Sequence, residues 1–367
     1  MNVAMTVVLG GFLLAFVFGF VAMRANFCTM GAIADIVNMG HWGRMRMWLL
    51  AIAVAIIGAS ALHGLGWINL GDSIYQRPRL NWLSAIVGGF VFGVGMTLAG
   101  GCANRNLLRI GAGSMRSVVV FAFVGISAYM TIKGLFGQWR VDYLDRFAVD
   151  LGAFGLKGQD LPALLAKASG LSAGVALAVV ATVVAAALLV FVFADARFRD
   201  NPNQIIAGLI IGLAVTGGWY VSGHLGHGEN EQLEMVYFAT NTRAAESLSF
   251  VAPMAYTLEL LMLWTDKSLS ISFGIASALG VILGASAWAA VSRSFRLEGF
   301  VSATDTRDHI IGATLMGFGG VTALGCTVGQ GISGVSTLAL GSILALLSII
   351  AGATATMKYL LWREENA

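Results

Sequence analysis

Nine stretches of this chain, near residues 4–23, 47–66, 82–100, 117–136, 171–194, 204–222, 270–292, 310–325 and 335–357, run almost without charge for close to the length of a membrane crossing. A hydrocarbon core about 30 Å thick takes roughly 20 helical residues per pass, and within it only backbone that satisfies its own hydrogen bonds survives. The chain is therefore expected to be an all-α, polytopic membrane protein with about nine transmembrane helices. Composition agrees, since 57% of the 367 residues are apolar and 11% are charged. Too few charges remain to keep the surface of a soluble protein of this size wet, which excludes a soluble enzyme. A net charge of +3 without any run of Lys or Arg also excludes nucleic acid as a partner.

Lys and Arg gather after the odd-numbered runs, as at Arg24, Arg44, Arg46, Arg105, Arg109 and Arg116. Most of those after the even-numbered runs fall in the two longest loops, where the positive-inside rule weighs least. The N-terminus is thus expected outside and the C-terminus in the cytoplasm. MNVAMT carries no basic residue, so the first run is expected to persist as a helix rather than to be cleaved. Residues 137–170 mix Asp142, Asp145, Asp150 and Asp160 with basic residues and Pro162, the composition of a solvated connector. The expected organisation is a first membrane half (1–136), a connector with a central helix (137–203) and a second membrane half (204–367).

The chain repeats itself. GGFVFGVGMTLAGGC, residues 88–102, aligns with GATLMGFGGVTALGC, residues 312–326, so that Gly88, Gly93, Gly95, Gly101 and Cys102 match Gly312, Gly317, Gly319, Gly325 and Cys326. Near the N-terminus Gly19 precedes Cys28 by the same interval that separates Gly93 from Cys102. A fainter fourth copy places Gly212 before Val221, with no thiol. Five crossings lie between the first copy and the third, and an odd number turns the second half upside down. The expected architecture is an inverted internal repeat, which sets a site near the bilayer midplane.

Each copy is a helix ending in glycine-rich sequence around a cysteine, where the backbone is expected to break and dip back as a re-entrant helix-loop. Such backbone is tolerated at membrane depth only when buried in protein or lining a polar cavity. A broken helix presents free N–H groups and a partial positive charge, which suit an anion. Glycine also serves tight helix packing, and a buried Cys is often a small hydrophobe. Packing alone does not require every thiol in the chain to stand at the equivalent point of a repeat.

These motifs resemble the YeeE/YedE family of sulfur-transport membrane proteins, and most of all its thiosulfate-permease branch. The resemblance rests on RANFC (24–28) with Asp35, on GGC (100–102) with Arg109, Gly111 and Gly113, and on LMGFGGVTALGC (315–326) followed by TVGQG. It covers nearly the whole chain. LGC stands where GGC is usual at 324–326, Ala25 stands where a glycine is usual, and residues 223–268 are longer than in similar permeases. The resemblance implies an hourglass fold in a bacterial inner membrane, with Cys28, Cys102 and Cys326 lining the route of thiosulfate or a closely related sulfur anion. It also implies a small cytoplasmic sulfurtransferase as a partner, besides the surrounding membrane lipid.

Thiosulfate has one soft terminal sulfur and three hard oxygens, so a selective site offers both soft contacts and polar donors. Neutral thiols of Cys28, Cys102 and Cys326 are expected to donate weak hydrogen bonds to the terminal sulfur in succession, since a thiolate would repel a dianion. Weak repeated sites also let the ion leave. Flanking donors are expected from the backbone of Thr29, Ala103, Asn104 and Thr327 and from the side chains of Asn26 and Gln330. Arg24 and Arg109 are expected either to attract the anion, to neutralise Asp35, or to anchor the helix ends. His224 and His227 lie near Glu229, Glu231 and Glu234, but glycine-rich HLGHGENE suits a wet loop better than a metal site, so no metal or cofactor is expected. No GxxxxGK[ST] pattern is present, leaving an ion-coupled carrier or a passive channel. A membrane thiol enzyme or carrier handling sulfane sulfur or a selenium compound is the other reading. It wants a thiol beside a base, and no Cys here has a His within ten residues.

Overall fold

The computed structural model describes residues 2–230 and 232–366. The helices are α1 (Val3–Arg24), α2 (Thr29–Met39), α3 (Gly43–Gly64), α4 (Trp82–Leu98), α5 (Ala103–Gly111), α6 (Met115–Lys133), α7 (Leu135–Trp139), α8 (Leu161–Ser169), α9 (Ala173–Phe193), α10 (Ala196–Arg199), α11 (Pro202–Tyr220), α12 (Val251–Met262), α13 (Phe273–Val291), α14 (Ala303–Thr322) and α15 (Leu340–Glu365). Two short antiparallel pairs, Arg79–Leu80 with Val149–Asp150 and His227–Glu229 with Met235–Tyr237, are the strands among these residues. The protein is thus an all-α, multi-pass membrane protein.

Eight helical stretches among the described residues are long and apolar enough to cross a membrane, one fewer than the nine runs expected. The difference is α14. It is twenty residues long and packs inside the bundle against α4 and α6, but Asp305, Arg307 and Asp308 occupy its first two turns. At the periphery α9 leaves Val175, Val179, Val183 and Val190 exposed, an apolar face suited to lipid.

Side-by-side pairing of helices is set by small residues. In α1 and α13, a Cβ at Gly19 would lie 2.4 Å from the Val281 carbonyl oxygen, and one at Gly284 would lie 2.1 Å from that of Phe16. Helices α3 and α11 pair at Gly212, whose Cβ would meet Ala51 and Val54. Likewise α4 lies along α15, and α6 along α14.

The two aligned glycine motifs meet each other. A Cβ at Gly88 would stand 2.9 Å from the Gly319 oxygen, and one at Gly319 2.6 Å from the Gly88 oxygen. Two turns further in, Cβ atoms at Gly95 and Gly312 would each come within 2.6 Å of the other's carbonyl oxygen. Early residues of one motif thus touch late residues of the other, so α4 and α14 cross antiparallel with backbone on backbone. Gly319→Leu has no room to adjust, because the neighbours are main-chain atoms. Overpacking of this kind costs about 1–3 kcal/mol, and we expect a lowered melting temperature in detergent; an unchanged melting temperature would contradict the contact.

Contacts sort the loops to two ends. At one, Arg24 donates to Asn203 Oδ1 (3.2 Å), Arg46 pairs with Asp195 (3.5 Å), and Arg116 pairs with Glu298 (3.4 Å) and Asp305 (3.5 Å). At the other, residues 65–81 and the 134–160 stretch are tied together, with Arg79 donating to the Asp145 carbonyl (2.8 Å) and Ser84 to the Asp145 carboxylate (2.6 Å). Gln159 then donates to the Arg77 carbonyl (3.1 Å) and accepts from the Gly341 N–H (3.1 Å).

Candidate functional site

All three cysteines sit at the same piece of backbone. A long helix stops at an alanine, Ala25, Ala99 or Ala323. The following residue turns left-handed, with φ of 52° at Asn26, 65° at Gly100 and 61° at Leu324. One residue on, the N–H reaches back over the helix end: Phe27 donates to the Ala22 carbonyl (2.9 Å), Gly101 to that of Met96 (2.9 Å) and Gly325 to that of Gly320 (2.7 Å). This closure satisfies carbonyls that the break would otherwise orphan. The cysteine comes next and starts a short helix.

Cys28 and Cys102 are the N-caps of α2 and α5, and Cys326 precedes a helix over residues 327–336 that is wound as a π-helix across Gly329–Gly334. The Gly31 N–H donates to Cys28 Sγ at 3.4 Å and the Gly329 N–H to Cys326 Sγ at 3.4 Å. Glycine makes the left-handed turn only at Gly100. Asn tolerates this conformation, but at Leu324 it costs about 1–2 kcal/mol, so glycine content alone did not mark the breaks. The faint fourth copy does not break at Val221, because α11 runs on there as a π-turn through Leu225. The segment that enters the bundle in its place is 241–250, followed by α12.

The breaks converge. Cys28, Cys102 and Cys326 are 6%, 1% and 0% exposed. Cys28 and the Thr327 hydroxyl both lie close to the Cys102 side chain, with no hydrogen bond of normal geometry joining either to it. Four buried oxygens within four residues of Cys102 or Cys326 have no hydrogen-bond partner among the described residues: Asn104 Oδ1, Thr322 Oγ1, Thr327 Oγ1 and Gln330 Oε1. Each such group costs about 1–3 kcal/mol when left unsatisfied, and a set of them beside helix N-termini is what a polar ligand would satisfy. Thr29 and Ala103 are buried at the first turns of α2 and α5. Gln330 Nε2 donates to the Ala323 carbonyl, bracing the third break. Asn106, not anticipated from sequence, braces the second by donating to the Gly101 (3.0 Å) and Cys102 (3.1 Å) carbonyls.

Other expected residues lie apart from the thiols. Asn26 is exposed and accepts from Arg105 (3.5 Å), so its part is to make the turn. Arg24 faces Asn203 and stacks over Trp288 at 5.6 Å. Arg109 is half-buried and donates to the Gly100 carbonyl at 3.5 Å. Neither neutralises Asp35; Arg44 does, through a two-pronged pair, with Gly31 backed against its guanidinium.

A cavity of about 650 Å³ opens beyond the third break, on the end carrying residues 65–81. Thr322, Leu324 and Gly325 line it, together with Tyr75, Arg77, Arg79, Arg140, Glu246 and Tyr256. This chamber has no signature in the sequence, because its walls come from six segments far apart in the chain. Burial pushes the Tyr75 phenol well above its ordinary range, so it stays a donor. Burial also pushes the Glu246 carboxyl up to about 7, against the opposing hydrogen bond from Thr242.

No cluster of metal-ligating side chains occurs among the described residues. His224 bonds to the Trp67 carbonyl (2.9 Å), His227 stacks on Tyr237, and Glu231 lies outside the described residues. Glu259 of α12 pairs with Lys133 (2.8 Å) and Tyr129 (2.9 Å).

Residues 24–355 match the family described as sulphur transport. The chain belongs to the sulphur transport family. The match runs from the first cysteine motif through the third. Relatives include the thiosulfate transporter TsuA of Spirochaeta thermophila, 28% identical over 378 residues, covering 96% of this chain and 99% of that protein. The thiosulfate transporter TsuA of Escherichia coli is 27% identical over 338 residues, covering 89% and 87%. The probable transporter YedE of Escherichia coli is 27% identical over a shorter stretch of 135 residues, covering 36% and 30%. All three are transporters by name, in keeping with a family member that is not an enzyme.

Proposed function

We propose that this protein imports thiosulfate, or a closely related sulfur oxyanion, across a bacterial inner membrane through a central route lined by its three thiols. The observation that carries this reading is the burial of three like helix breaks, each presenting a cysteine at a helix N-terminus. A helix N-terminus favours an anion by about 0.3–1 kcal/mol, and by up to about 2 kcal/mol when partly buried. Three of them, with the unpartnered hydroxyl of Thr327 free to donate to a bound ion, favour a small anion over a cation. The relatives named as thiosulfate transporters support the substrate.

The antiparallel crossing of α4 and α14, and the pairing of α1 with α13 and α3 with α11, support an inverted repeat whose re-entrant helices α2 and α5 enter from one face and residues 327–336 from the other. In this arrangement residues 1–136 and 204–367 are the two halves. The N-terminus is outside and the C-terminus cytoplasmic, so the 650 Å³ cavity is the outer chamber of an hourglass. Arg77, Arg79 and Arg140 gather the anion there, Cys326 is the first thiol behind the chamber floor, and Cys102 and Cys28 follow. The opposite, cytoplasmic end carries Arg24, Arg105 and Arg109, where a small sulfurtransferase would take the product.

Uptake of thiosulfate labelled in its outer sulfur, by cells without their own importers, tests the function. We expect saturable accumulation that excess sulfate and sulfite do not suppress. Absence of accumulation from a well-expressed protein would refute it, and suppression by sulfate would remove the selectivity.

A further inference from the structure

Glu246 stands in the wall of the outer chamber, and the thiol route makes no use of it. Its Oε2 accepts from Thr242 Oγ1 at 3.1 Å, while its Oε1 is buried without a partner among the described residues. Its main chain is pinned: the Glu246 N–H donates to Ser222 Oγ at 3.1 Å, and the Ser222 hydroxyl bonds to the Glu246 carbonyl. The carboxyl is therefore carried on backbone fixed at the chamber wall and is itself held there by the Thr242 hydroxyl.

The groups that face it do not neutralise it. Tyr75 and Tyr256 feel its charge from two walls, and Cys326 lies beyond Tyr75. Arg77, Arg79 and Arg140 line the same chamber, Arg140 being paired with Asp145 at 3.4 Å. His224 of the adjoining π-turn is turned to Trp67, Arg243 of the same segment is exposed, and Glu259 of α12 is held by Lys133 and Tyr129. An ionised Glu246 would set a negative charge against an incoming dianion. A neutral one adds an O–H donor in its place.

We propose that Glu246 is a protonation-controlled specificity residue of the outer chamber: thiosulfate is admitted when the carboxyl is neutral, and its binding draws one proton from the outer solution onto Glu246. The step is a proton association, carboxylate plus proton giving carboxylic acid, with no change of oxidation state. It rests on the transport reading above. Since burial places this group near neutrality, the competent fraction falls as the pH rises through that range, and apparent affinity falls with it.

The test is equilibrium exchange of labelled thiosulfate in proteoliposomes with equal pH on both faces. Thiosulfate stays doubly ionised throughout, so its own titration does not enter. We expect KM to rise about tenfold between about pH 6 and about pH 8. Glu246→Gln should flatten this ratio to near one, and Glu246→Asp should restore a slope. If Glu246→Gln does not reach the membrane, proton uptake by the native protein on adding thiosulfate in weakly buffered solution near pH 7.5 carries the same information. Native exchange with a KM independent of pH, or no proton uptake, would overturn the proposal while leaving the transport reading standing. No exchange at any pH would overturn the transport reading itself.

Discussion

Cys102→Ala is expected to lower thiosulfate uptake by about 10- to 100-fold at unchanged membrane abundance, and Cys326→Ala to do the same. Hydrogen bonds to a charged group are worth about 1.5–3 kcal/mol, and each 1.4 kcal/mol is a factor of ten. Cys102 makes no side-chain cap to its own helix, so its thiol is not needed to hold α5 and its loss falls on the route. Cys326 does accept from the Gly329 N–H, so Cys326→Ser, which keeps a cap acceptor, separates loss of folding from loss of the soft sulfur contact. We expect Cys326→Ser to be abundant yet slow. Uptake and quantitative immunoblotting from the same cells measure both quantities, and full-rate transport by Cys102→Ala would exclude that thiol from the route.

The second large effect is on stability. Asp35 is 5% exposed and its one ion pair among the described residues is to Arg44. Removing one partner of a buried pair costs about 3–5 kcal/mol, because the remaining charge is stranded. Arg44 keeps 31% of its side chain exposed, so we expect the lower end, about 3 kcal/mol, for Arg44→Leu. The pair joins the end of α2 to the start of α3, and Cys28 caps α2, so slackening the pair also slackens the thiol's mount. Asp35→Asn with Arg44→Leu should recover most of the stability, since neither charge is then stranded. Thermal unfolding in detergent for both single variants and the double variant measures the coupling. Additive losses would contradict a direct buried pair.

Much of this was legible in the sequence, for identifiable reasons. Crossing helices announce themselves by length and apolarity, and the constant interval from Gly19, Gly93 and Gly317 to the cysteines marked the three breaks. What decides each break is a left-handed residue two positions before the thiol, and Asn26 and Leu324 do not advertise it as Gly100 does. The interval also promoted Val221, where the helix runs on, because periodicity cannot tell a helix that breaks from one that tightens into a π-turn. The polar first turns of α14 hid within a run that looked apolar from residue 310 onward. Asp35 was matched to the wrong arginines, since Arg44 approaches it only once α2 turns back on α3. The chamber was invisible because Arg77, Arg140, Glu246 and Gly325 meet through tertiary packing alone.

The central claim, that the anion meets the thiols at the waist, is tested most directly by the rate at which a small thiol reagent added from outside modifies Cys326 and Cys102 in membranes, resolved residue by residue by mass spectrometry. The account predicts that saturating thiosulfate slows modification of both, Cys326 first, and that sulfate at the same concentration does not. Modification rates that thiosulfate leaves unchanged would contradict it.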